Sequence, residues 1–423
     1  MTDAPKEEKP AAVKPRRIIR RRKEKAPPAV DPVLLSKTVE ASNLPQAYSF
    51  EIPKTVQRIS TLQASHIALQ MPEGLLLYAT TISDVLKRLC PSLTQVSILG
   101  DVTYGACCID DLGAQALGCQ LLVHYGHSCL VPIQHTAIPC LYVFVEITID
   151  VQHLVECLLL TIDERQLNKD TTTIYLLGTI QFRHALQEAQ NMLAERGFAK
   201  TSIPQVKPLS PGEVLGCTSP KLPTDTTDAL VCFVADGRFH LESTLISNPH
   251  IPLFLRYCPY NKVLTKEEYQ HEHMKSIRQE AIQAASSAKV FGLLLGTLGR
   301  QGNPAIISKL QDLLKRHGRR SFVVLVSEIT PAKLTMFGKT VDAWVQVACP
   351  RLSVDWGHCL GTKPVLNPYE LHVCLEETTF SDVYPMDYYS NQGGPWSNYH
   401  EDNKQRDFSS GTCPTGSTEA VVS

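Results

Sequence analysis

Short apolar runs alternate with helix-period patterns along most of this chain, and that alternation restricts it to a parallel α/β architecture. The pattern occurs three times. The first unit has an apolar run at Ile67–Met71, a helix after Pro72-Glu73-Gly74, and further runs at Gln95–Leu99, Leu121–His124 and Leu141–Ile147. The second has Thr173–Leu177, a helix over Arg183–Glu195, and runs at Ile203–Val206, Ala229–Val234 and Leu253–Tyr257. The third opens on a long helix, where Thr265 and Glu268 have capping-box spacing and Met274, Ile277, Ala281 and Ala285 form the apolar stripe. Runs at Val290–Leu295, Phe322–Val326 and Ala343–Val347 follow, with a proline-opened helix over Pro304–Arg316. The predicted fold is α/β: three related domains, at 45–160, 165–262 and 263–387, each a small mainly parallel sheet flanked by helices.

The ends of the chain differ in composition. Residues 1–40 are rich in Pro, Lys and Arg, with the run Lys14-Pro15-Arg16-Arg17-Ile18-Ile19-Arg20-Arg21-Arg22-Lys23, and are predicted to be a disordered basic arm. Such an arm is a solvated tail or, alternatively, a nuclear-import or RNA-contacting patch. Residues 388–423 turn to Asn, Gly, Ser and Thr and are predicted to be a disordered tail. The net charge of -1 gives no global attraction for nucleic acid. No apolar stretch reaches the ~18–20 residues that cross a bilayer, and the opening lacks the order of a secretory signal, so a cytoplasmic location is expected.

Fourteen cysteines without the regular close spacing of secreted scaffolds read as reduced thiols, most of them in the core. Three stand apart. Cys107, Cys217 and Cys349 each lie in a loop after an apolar run, roughly 110 and 130 residues apart, about one small α/β unit per interval. Strand-end loops gather in such sheets, which makes a shared metal centre the natural suspect. Small residues precede each sulfur, in Gly105-Ala106-Cys107, Leu215-Gly216-Cys217 and Val347-Ala348-Cys349, and let backbone amides approach it. Three unrelated core cysteines would satisfy the same spacing. C-x-x-C pairs are absent, so a single-loop metal site is excluded. Three converging thiolates would suit a 4Fe-4S cluster with one iron left open. The three positions are not equivalent, because Cys107 and Cys217 follow the second run of their unit and Cys349 the third.

Six blocks carry a resemblance. Met71-Pro72-Glu73-Gly74-Leu75, Gly100-Asp101-Val102-Thr103-Tyr104-Gly105-Ala106-Cys107, His124-Tyr125-Gly126-His127-Ser128-Cys129, Asp236-Gly237-Arg238-Phe239-His240-Leu241-Glu242-Ser243, Gly296-Thr297-Leu298-Gly299-Arg300-Gln301-Gly302 and Val347-Ala348-Cys349-Pro350-Arg351-Leu352-Ser353 resemble the diphthamide synthase family over residues 45–385. The resemblance implies three related α/β domains around a 4Fe-4S cluster held by Cys107, Cys217 and Cys349, with Cys107 matching the family element rather than its neighbour Cys108. It implies a radical S-adenosylmethionine enzyme that transfers a 3-amino-3-carboxypropyl group to a histidine carbon of translation elongation factor 2, with 5'-methylthioadenosine as coproduct. The implied partners are a homologous second subunit in a heterodimer, a small metal-binding electron-donor protein and elongation factor 2. Neither a membrane nor direct nucleic-acid contact is expected.

A cosubstrate carboxylate needs a cationic partner, for which Arg238, Arg300 and Arg351 are candidates, each also readable as a structural ion pair. Gly299-Arg300-Gln301-Gly302 is a candidate loop for laying amides against an anion. His127 and His240 are candidates for orienting substrate or moving a proton. His271 and His273 point to different faces of a helix and are not read as a metal pair. Cys129 and Cys359 lie near the proposed centre in sequence but have no family role. Two other readings compete: a noncatalytic scaffold subunit of the same complex, and a zinc-stabilised RNA-binding protein using the basic arm.

Overall fold

The computed structural model of the chain describes residues 31–224 and 228–403. Three sheets form its frame, and they share one strand order. In the first sheet the order is Gln95–Leu99, His66–Gln70, Leu121–Tyr125, Cys140–Val143, all parallel. The third repeats it with Arg320–Val326, Val290–Gly296, Ala343–Val347 and Val365–Leu366. The second has Thr201–Ser202, Thr173–Gly178, Ala229–Val234 and Leu253–Cys258, then Val263–Glu267 added antiparallel at the edge. In each, the unit's first strand lies between its second and third. The loops leaving the first and third strands therefore diverge over a crevice at the carboxyl edge, where open α/β sheets bind ligands.

Parallel strands bury both faces, which explains why the central runs are continuously apolar. Ile67, Ala68 and Leu69 are fully buried in the first sheet, as are Leu230, Val231, Cys232 and Phe233 in the second. Helices cover the faces. Val151–Glu164, not foreseen from the sequence, lies with Arg183–Glu195 on the second sheet. In the third sheet Trp344 lies across Gly292, where a Cβ would come 2.2 Å from the indole ring. The glycine is the seat of that ring.

Several expectations are corrected. Thr265 and Glu268 do not cap a helix, because Thr265 is in the edge strand Val263–Glu267 and the helix begins at His271. The second sheet thus extends past residue 262. That strand is favoured by the diagonal pair Arg256–Glu267, with Nε 2.8 Å from the carboxylate. The run at Ile203–Val206 is not a strand. Pairing stops at Thr201–Ser202, ahead of Pro204, which has no amide to donate. Leu141–Ile147 divides into Cys140–Val143 and Glu146–Ile147, since Val145 between them takes a φ of +56°.

Part of each end expected to be disordered is ordered. Pro32–Glu40 is a helix capped by Asp31, which accepts from the Val33 amide at 2.9 Å, and its Leu35 and Val39 pack on the first core. The rest of the arm, with the basic run, lies outside the described residues. Several residues of the stretch 388–403 are packed: Tyr388 and Tyr389 enter the third core, and Ser397 and Asn403 are fully buried. Residues 404–423 lie outside the described residues.

Candidate metal centre

Each sheet contributes one cysteine from a loop at its carboxyl edge. Cys107 is in the turn Ala106–Cys108 that follows Gln95–Leu99. Cys217 is in the tight turn between Leu215 and Thr218, whose backbone groups exchange hydrogen bonds of 3.0 and 3.2 Å. Cys349 leaves Ala343–Val347 just before the helix Arg351–Trp356. The three thiols come within electrostatic reach of one another: Cys349 and Cys217 both act on Cys107, and Cys349 acts on Cys217. Burial pushes Cys217 up to about 12 and Cys349 up to about 11. Contact with the Cys108 thiol, then burial, holds Cys107 well above the ordinary thiol range.

A lid closes over them that the sequence reading missed. The Tyr388 amide donates to the Cys217 carbonyl at 3.2 Å, and the Tyr389 amide to the Thr218 hydroxyl at 2.9 Å. Tyr399 donates its hydroxyl to the Leu130 carbonyl. Tyr388, Tyr389 and Tyr399 all feel the Cys107 thiol. The available signal was aromatic: Tyr388, Tyr389, Trp396 and Tyr399 interrupt a stretch otherwise composed like a tail.

The residues proposed to grip a cosubstrate anion are engaged elsewhere. Arg300 is bound bidentately by Asp111, with Nε and Nη2 at 2.8 and 2.7 Å. Its amide donates to the Cys107 carbonyl at 2.7 Å, joining the third sheet's loop to the first sheet's. Gly299 makes this approach possible: it has a φ of +56°, and a Cβ there would lie 2.3 Å from the Cys108 carbonyl carbon. Gln301 donates to the Cys108 sulfur at 3.3 Å, and a Cβ on Gly302 would meet the Gly296 carbonyl. The Gly299–Gly302 loop therefore clasps the cysteine loop and does not form an open anion cradle.

Arg351, almost wholly buried, donates to Glu242, to Asp355 at 2.9 Å, and to the carbonyls of Gly216 and Phe239 at 3.2 and 2.8 Å. Its guanidinium also covers the Phe239 ring at 4.4 Å. It thus ties the Cys349 loop to the residue preceding Cys217. Arg238 is spent on Glu242, Glu267 and the Glu268 carbonyl, with distances of 2.8, 2.7 and 3.0 Å. Cys129 and Cys359 are exposed, and His271 stacks edge-on against Tyr269.

Three enclosed thiols within electrostatic reach of one another, Cys217 buried and Cys107 and Cys349 partly so, are costly as thiolates unless a cation compensates them. The Tyr388 hydroxyl, buried and without a hydrogen-bond partner among the described residues, feels chiefly Cys217, Cys349 and Cys107. Both observations fit a group held between the sulfurs. Among the described residues no three His, Cys, Asp or Glu side chains are grouped tightly enough for one metal ion. A cubane, whose separate irons let its thiolates stand farther apart than the ligands of a single ion, does not need so tight a grouping.

Beside the centre, between the first and second sheets, is a cavity of ≈ 300 Å³. Thr103 and Tyr104 lead from it to Cys107, and Leu215 to Cys217. His127 and His240, both singled out in the sequence, line it together with the buried Glu213.

These features define a class, a triplicated α/β protein with a thiol centre assembled from one loop per sheet. Comparison with known proteins places it further. Residues 71–385 match the family described as putative diphthamide synthesis protein. Proteins named 2-(3-amino-3-carboxypropyl)histidine synthase subunit 1 are 50% identical in Dictyostelium discoideum, over 84% of this chain and 74% of that one. The Homo sapiens protein of that name is 51% identical, over 84% and 79%. The chain belongs to this diphthamide synthesis family. The crystal structure of Dph2 from Pyrococcus horikoshii has a TM-score of 0.64 at 28% identity, covering 78% of this chain and 92% of that one. The same protein with its 4Fe-4S cluster matches at 0.64 and 27% identity, covering 80% and 94%.

Proposed function

We propose that this chain is the catalytic iron-sulfur subunit that transfers the 3-amino-3-carboxypropyl group of S-adenosylmethionine to a histidine carbon of translation elongation factor 2. The observation that carries this reading is the meeting of Cys107, Cys217 and Cys349, one from each sheet, in a chain about half identical to synthases named for that product. These three cysteines would hold a 4Fe-4S cluster, which when bound supplies the single electron that breaks a carbon–sulfur bond of S-adenosylmethionine. Such a route suits the product, because the nitrogens are the nucleophiles of a neutral imidazole and a polar transfer would alkylate them.

The chain's own residues do the positioning. The tyrosine lid narrows the access of water to the thiols, and the cavity beside them admits reactants. Arg351 and the Gly299–Gly302 clasp hold the three cysteine loops in register, a task of orientation and not of ligand gripping. The relatives are named subunit 1, and we read a homologous second subunit as the partner, with a small metal-binding protein delivering electrons. A cytoplasmic location, with nuclear access through the basic arm, belongs to the same reading.

The test is an anaerobic reaction of the reconstituted complex with elongation factor 2 and S-adenosylmethionine, read by mass spectrometry of the histidine peptide. The expected result is a carbon-linked 3-amino-3-carboxypropyl group with 5'-methylthioadenosine released. Release of 5'-deoxyadenosine with an unmodified peptide overturns the reading.

A further inference from the structure

The cavity between the first and second sheets contains a histidine whose tautomer is set by a chain of hydrogen bonds anchored in the backbone. Gln70 donates its amide nitrogen to the Cys108 carbonyl at 2.9 Å and accepts the Asp110 amide on its oxygen at 3.0 Å, which fixes which end is which. The same oxygen faces His124 Nδ1 at 2.9 Å, so His124 must carry its proton there. His124 Nε2, left with a lone pair, faces His127 Nδ1 at 3.1 Å, which places the His127 proton on Nδ1; the Tyr125 carbonyl is a second backbone acceptor beside the same ring. The Nε2 of His127 is then an acceptor, on a side chain that lines the cavity. Burial keeps all three nearby imidazoles neutral, holding His127 and His240 down to about 4 and His124 well below the usual range.

We propose that this cavity receives the acceptor imidazole of the substrate protein, and that His127 Nε2 accepts the hydrogen bond of that ring's N–H. The inference rests on the function proposed above and adds where and how the ring is held. An acceptor with no proton of its own selects a donor, and a neutral imidazole presents one N–H at a fixed angle to its ring carbons. His127 is thus a binding residue. Gln70 and His124 are positioning residues that act through it, and the chain begins at the cysteine loop itself, so ring and thiols share one reference frame. His240, beside His127 and with its ring stacked edge-on against Phe239, stands at the same cavity to meet the ring's second nitrogen.

Two measurements on the full chain test this. Nitrogen-15 spectra of the histidine-labelled protein, with His127→Phe to identify the resonance, should show His127 as the Nδ1–H tautomer. In the reconstituted complex, His127→Phe should raise KM for elongation factor 2 about ten- to a hundredfold with a smaller change in kcat. His127→Gln, which returns an acceptor near the Nε2 position, should recover most of that loss, with iron content equal in all three proteins. An Nε2–H tautomer, or an unchanged KM in an active His127→Phe complex, overturns this inference alone. Loss of iron in His127→Phe makes the residue architectural and also overturns it. A wild-type complex that modifies no histidine overturns the proposed function with it.

Discussion

Arg278 and Arg351 are both buried and both paired with carboxylates, yet they occupy regions that do different work. Arg278 meets both oxygens of Glu370, at 2.6 and 2.8 Å, and the Val365 carbonyl at 2.7 Å. Glu370 also closes the capping box of its own helix with Asn367 and accepts the Tyr384 hydroxyl. All of these partners belong to the third unit, so the network fastens two helices to one sheet. Arg351 has two carboxylates and two carbonyls, and three of those four partners come from the second unit. Its network crosses between units beside two of the cysteines. The lesson is that a buried ion pair does not reveal its purpose by its chemistry; what its partners are attached to decides whether removing it unfolds the protein or loosens the centre.

Four outcomes would break or sharpen that contrast. The largest effect is expected from the sulfurs themselves. Cys107→Ala, Cys217→Ala or Cys349→Ala should each abolish cluster-dependent transfer and the broad visible absorption of the anaerobic protein, and full activity in one removes that residue from the ligand set. Next, Arg278→Ala should cost ~3–5 kcal/mol in denaturant unfolding, because it strands the Glu370 charge. Iron bound per folded molecule should stay as in wild type; a parallel loss of iron would erase the distinction between the two arginines.

Arg351→Lys should do the reverse. A point charge cannot reach two carboxylates and two carbonyls at once, so iron retention against a chelator should fall about ten- to a hundredfold while the melting temperature moves little. The smallest effect is a pH dependence at Asp355. Burial outweighs Arg351 there and raises its pKa above 3.8. A carboxyl raised in the folded state favours folding only below its unfolded value, and that contribution is lost as pH rises through the folded value. Asp355→Asn should therefore gain on wild type as pH rises from about 3.8 toward neutrality, by no more than ~1 kcal/mol. Melting temperatures across that range check it, and a growing deficit at neutral pH would show that the Arg351 pair outweighs burial.

What was legible in the sequence divides from what was not along the same line, between local and distant partners. Gln95–Leu99, Arg183–Glu195, Ala229–Val234, Pro304–Arg316 and Ala343–Val347 are bounded as their apolar pattern indicates, since pattern and pairing agree. The three cysteines and His127 were nameable because each lies in a small-residue loop at the carboxyl edge of a sheet, and His240 because it opens the helix that follows Ala229–Val234. Arg238, Arg300 and Arg351 were readable as structural ion pairs, but the partners of the last two were not, because Asp111 and Glu242 lie more than one hundred residues away from Arg300 and Arg351 respectively. Thr265 with Glu268 imitated a helix start because a capping box is a spacing of two residues, and nothing in it reports that Leu253–Cys258 offers an open edge. The tyrosine lid was hidden by its polar neighbours for the same reason: its partners, Cys217 and Leu130, are remote in the chain.

The clasp between Gly299 and Cys108, and the tyrosines that close over it, also set an order in time. A ribosome releases the loop of Cys107 long before Arg300 or Tyr399 exists. At ~5–20 residues per second the first thiol waits roughly 15–60 s for the segment that will cover it. During that interval the centre is unfinished, and Cys107 lacks both the Arg300 amide and the tyrosines that pack beside it. The thiol centre of this chain is complete only after synthesis, once Tyr388, Tyr389 and Tyr399 have docked.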